Sequence, residues 1–115
     1  MDLMQLQALC LSFPHVTEEI KWAYDLCFSI GGKMFLVTVP DELPITATFK
    51  VPDEEFEEFI SRPGFEPAPY LARYKWVMVC DISIFHPAEI ERWARQSYDL
   101  IKAKLPKKAR QDLGE

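Results

Sequence analysis

The spacing of apolar residues changes twice along this chain, and the changes divide it into blocks that cannot all be one kind of secondary structure. Ahead of Pro14, Leu3, Leu6, Leu9, Cys10 and Phe13 recur at three- and four-residue steps. That spacing sets them on one stripe of a helix from about Asp2 to Ser12, and Pro14 halts it. The step then falls to two, with Leu26, Phe28 and Ile30 alternating against Asp25, Cys27 and Ser29. Gly31-Gly32 follows, and Lys33 to Val39 is rich in β-formers. A glycine pair supplies the positive φ angles of a two-residue turn, so this block is a hairpin. Val16 to Trp22 is read as a short strand before it. After a Pro40–Pro44 loop, Ile45, Ala47, Phe49 and Val51 alternate with Thr46, Thr48 and Lys50 as a further strand. At Pro87 the helical step returns and holds through Ile90, Trp93, Ala94, Ser97, Ile101 and Leu105, the longest such run in the chain. Pro87 suits the first helical position and His86 lies near the cap.

Between these blocks, Pro52-Asp53-Glu54-Glu55 opens a short helix whose acids suit a positive helix start, with Phe56, Phe59 and Ile60 inward. Arg62-Pro63-Gly64 ends it. Two prolines make Phe65 to Pro69 an irregular loop of fixed shape, and Tyr74 to Asp81 reads as a central or partly covered strand. Glu91 and Arg95, one turn apart, are expected to pair on the surface, and Leu105-Pro106 separates a last short helix over Lys107 to Leu113. Strands segregated from helices predict an α+β fold: a single antiparallel sheet with helices mainly on one face, and Trp76 and Trp93 in the core. With 115 residues, 49% of them apolar, one domain over 1–115 is expected.

No apolar run approaches the ~18 residues of a membrane span, and the start of the chain lacks the basic stretch of a secretory signal. The expectation is a monomer that stays in the cytoplasm. Cys10, Cys27 and Cys80 have no metal- or redox-type spacing and read as unpaired buried thiols. His15 and His86 each neighbour a proline and lack a nucleophile or carboxylate partner of known geometry, so no catalytic residue, metal or cofactor is expected. The acid run Asp53, Glu54, Glu55, Glu57 and Glu58 reads as a solvated helix face.

The net charge of −5 argues against general attraction to polyanions, but its distribution is lopsided. From Arg92 to Arg110 seven cations face one acid, Asp99, giving +6; the remainder carries −11. Such a chain can present a basic end while remaining acidic overall.

Several stretches together resemble the MmcQ/YjbR family: Ile30-Gly-Gly-Lys-Met-Phe35, Phe49-Lys-Val51, Arg62-Pro-Gly-Phe65, Ala68-Pro-Tyr-Leu-Ala-Arg73 before Lys75-Trp76-Val77, and Ser97-Tyr98 before Lys104-Leu-Pro-Lys107. The resemblance covers essentially the whole chain. It implies a fold like that of the bacterial frataxin-like (CyaY-like) proteins and a DNA-binding role inferred for the family from a double-winged surface.

Within Tyr70-Leu-Ala-Arg-Tyr-Lys-Trp76, Arg73 and Lys75 are candidates for phosphate contacts and Tyr70 or Tyr74 for stacking; alternatively the rings face the core and the cations are ordinary edge residues. Lys33 and Lys50 extend that surface if the sheet brings them near. Lys102, Lys104, Lys107, Lys108 and Arg110 form a C-terminal cluster, either an electrostatic foot on a nucleic-acid backbone or a solvated helix end that complements the helix dipole. Weak nonspecific DNA binding through a local basic face is the expected function. The alternative is a protein- or small-ligand-interaction module with no nucleic-acid role.

Overall fold

Alternating apolar side chains in the middle strands give each one a face to bury, and the helices cover that face. The computed structural model describes residues 1–114. Its strands are β1 (Val16–Lys21), β2 (Asp25–Ile30), β3 (Lys33–Thr38), β4 (Ala47–Lys50), β5 (Phe65–Pro67) and β6 (Trp76–Val79). They form one sheet in the order β1-β2-β3-β4-β6-β5, with every pair antiparallel. The helices are α1 (Leu3–Ser12), α2 (Phe56–Ile60), α3 (Pro87–Ala103) and α4 (Lys107–Asp112). The fold is α+β, as the periodicity predicts.

Residues opposed across a ladder share a face. The rows Phe28-Leu36-Phe49-Val77 and Ala47-Val79-Phe65 therefore lie together, all buried. That is the face α3 covers: the Phe49 ring stacks on Trp93 of α3 at 6.2 Å. Both Trp76 and Trp93 are buried. The row Cys27-Val37-Thr48-Met78 lies on the opposite face.

Each long helix starts where its side chains satisfy the first backbone N–H groups. Asp2 caps α1 in a reciprocal box with Gln5, and His86 Nδ1 accepts from Ala88 N at 3.0 Å ahead of Pro87. The glycine pair turns β2 into β3 with φ of 59° and 81°. A bulge follows, since Phe28 opposes Leu36 but Ser29 opposes Met34, leaving Phe35 without a ladder partner. Phe35 and Leu36, adjacent in sequence, are both fully buried, and the Phe35 ring meets the edge of Tyr98 at 5.4 Å.

Three expectations are corrected. The Phe65–Pro69 loop contains the edge strand β5, where a proline is tolerated because one side of the strand has no ladder. The strand expected from Tyr74 starts at Trp76: Ala72–Tyr74 is a 3-10 turn and Lys75 takes φ 66°. Arg95 pairs with Asp99 at 3.2 Å, not with Glu91.

Candidate nucleic-acid interface

Antiparallel pairing sends the end of β2, the start of β3, the end of β4 and the start of β6 to the same end of the sheet. The C-terminus of α3 lies there too, because Gly31 sits against Leu105 so closely that an added Cβ would come within 2.7 Å of a Leu105 methyl. Cations far apart in sequence thereby fall at one end of the sheet. Lys33 follows the glycine turn, Lys50 closes β4, Arg73 and Lys75 precede β6, and Lys104 follows α3 with Lys107 and Lys108 just beyond it. Val51 N donates to Lys75 O at 3.0 Å, tying the β4 and β6 ends together. Acids are present as well, with Asp53 and Glu54 following β4.

Lys33, Arg73, Lys104, Lys107 and Lys108 are exposed, and Lys75 is half-buried with its ammonium 5.0 Å from the Phe56 ring. The Arg73 guanidinium lies 4.7 Å from the ring of Tyr74, itself exposed, so a cation and an aromatic face are presented together.

Lys50 is the clearest departure from the expected surface. It is 5% exposed, donates through Nζ to Tyr74 O at 2.6 Å and lies 3.7 Å from Asp53. Burial lowers its pKa, and the neighbouring Lys104 ammonium lowers it further against the opposing pull of Asp53. Lys50 therefore braces the Tyr74 carbonyl and is not a phosphate contact. Arg110 is half-buried, with a buried Nε that has no hydrogen-bond partner. Lys102, also half-buried, sits 5.7 Å from the Tyr98 ring.

Tyr70 belongs elsewhere. It is 98% exposed and lines a groove of about 720 Å³ on the sheet face that α3 does not cover. Met34, Val37, Thr48 and Met78 contribute sheet residues to this groove, and Trp22 joins them from the β1–β2 turn. Nothing in the sequence pattern singled it out. Its one legible signal is Trp22, a large aromatic placed where a strand ends and a turn starts.

The YjbR family model matches residues 11–100 of the 115. This α+β domain, with its six-stranded antiparallel sheet, therefore belongs to the YjbR family. The chain is also similar to the crystal structure of Deinococcus radiodurans protein DR2400, a DUF419 domain. The TM-score is 0.85 at 26% identity, covering 95% of this chain and 85% of that one. No curated protein matches it. Among the described residues no cluster of three or more metal-binding side chains exists, and no helix is long and apolar enough to cross a membrane.

Proposed function

We propose that this domain binds the nucleic-acid backbone weakly and without sequence preference, through Lys33, Arg73, Lys75, Lys104, Lys107 and Lys108. The observation that carries this reading is the gathering of cations from separate elements at one end of an otherwise acidic molecule. Only a positive face set apart from the acidic body can approach phosphates without net repulsion. Tyr74, exposed beneath the Arg73 guanidinium, supplies a surface on which a base can stack.

The test is a salt series of fluorescence anisotropy with random duplex and single-stranded DNA. With three or four phosphate contacts, log K falls against log salt with a slope of about −3, and each contact removed lowers the slope by about 0.9. Replacing Lys107 and Lys108 with Glu removes binding while leaving the melting temperature unchanged, because both are exposed and lie beyond the Leu105-Pro106 break. Wild-type protein that produces no anisotropy change at low salt overturns the reading and leaves an interaction module in its place.

A further inference from the structure

The groove on the uncovered sheet face differs from the basic end in every property that governs a partner. Its floor is apolar, with Met34, Val37 and Met78, and its charged lining residues are Asp25 and Glu42, with no lysine or arginine. Among the described residues neither carboxylate takes part in an ion pair. Lys21 opposes Asp25 across the β1–β2 ladder, but the groove's own charged lining is acidic, so the groove does not extend the proposed nucleic-acid surface.

Its two large aromatics are held in an uncommon way. Trp22 has φ 53° and Tyr70 φ 65°, in the left-handed region that bulky L residues seldom occupy, and both rings remain largely in solvent. Trp22 shares this conformation with Ala23, φ 68°, in the β1–β2 turn, and the connections that carry the two rings hold them out from the core. The two come from different connections, Trp22 from the β1–β2 turn and Tyr70 from the segment before β6, yet line one groove. Lys21 already places its ammonium 6.0 Å from the Trp22 centroid while held by Glu19 at 3.5 Å, so the ring lies within the range of cation–π attraction.

A volume of about 720 Å³ is that of a small-molecule site. Apolar floor, exposed aromatic faces and unpaired carboxylates select together for positive charge on an apolar body. The geometry points to a binding site for a small organic cation, an ammonium carried on an aromatic or aliphatic frame, between Trp22, Tyr70, Asp25 and Glu42.

The test titrates three probes of matched shape into protein carrying labelled backbone, indole and methionine methyl groups: phenethyltrimethylammonium, 3-phenylpropanol and 3-phenylpropionate. The cation is expected to shift the Trp22 indole and the Met34 and Met78 methyls, and to bind at least about tenfold more tightly than the neutral probe. Asp25→Asn with Glu42→Gln removes that preference and leaves the melting temperature unchanged. Binding of the anionic or neutral probe as tight as that of the cation overturns the proposal. So do shifts confined to residues outside the groove, an absence of shifts with all three probes, or a cation preference that survives the double substitution. DNA binding at the basic end is read on different residues and is unaffected by any of these outcomes.

Discussion

Ser97 lies in the buried stripe of α3, yet its hydroxyl belongs as much to the sheet. Beyond the Leu36–Phe49 pair the next rung would join Lys50 N to Phe35 O. The Ser97 hydroxyl stands between them, accepting from Lys50 N at 2.9 Å and donating to Phe35 O at 2.6 Å. Ser97→Ala leaves two buried backbone groups unpartnered and is expected to cost about 1–3 kcal/mol in chemical denaturation. A loss within error would mean that β3 and β4 close to re-form the rung. Tyr98 does a similar service, donating to Pro14 O at 2.8 Å with its ring packed on Phe13. Arg62 lies over the rings of Phe65 and Trp93, 5.1 and 5.4 Å away, and reaches Glu89 at 3.8 Å. Several residues that carry the family resemblance thus hold the fold together. Lys50 carries a pH signature. Its folded pKa lies below the unfolded value of 10.5, so between the two the unfolded chain binds more protons and stability rises with pH. Wild type is therefore expected to gain on Lys50→Met as pH climbs toward 10.5, and a difference that stays flat or reverses there contradicts the assignment.

At the scale of elements, the β2–β3 turn joins the hairpin to the end of α3. Gly31→Ala places a Cβ in the left-handed region and 2.7 Å from Leu105, whereas Gly32→Ala has the same kind of backbone penalty and open space. The first should be the more destabilising, by roughly 1 kcal/mol beyond the second, in a thermal or urea melt. Equal losses would show that Leu105 yields without cost. This hairpin was legible in the sequence because a glycine pair between alternating runs is local information, and α3 because its buried stripe, Ile90 to Ile101, spans about three turns. The β5 strand was not, since Pro67 hides a three-residue edge that is paired to the sheet through β6. In β6 both faces are apolar, and only cross-strand register with β4 decides which one meets α3. The same nonlocal register brought Lys33, Arg73, Lys75 and Lys104 to one end, where the sequence offered only separate cations. It also exposed the inward turn of Lys50 and assembled the groove from residues no motif connects.

Over the whole molecule, charge and shape divide the surface in two. The end carrying the β2–β3 turn, the start of β6 and the end of α3 collects exposed cations, while the uncovered sheet face holds an apolar groove with acids and no cations in its lining. All three thiols are free, Cys10 and Cys27 buried as expected but Cys80 only half-buried, and desolvation pushes the Cys10 pKa up to about 12. The sharpest test of the account follows backbone amide resonances while random duplex DNA is added at low salt. The account predicts progressive, salt-reversible shifts at Lys33, Arg73, Lys75, Lys104, Lys107 and Lys108, with Trp22, Val37 and Met78 unmoved. A spectrum unchanged by DNA, or one in which the groove residues move and the cations do not, contradicts it.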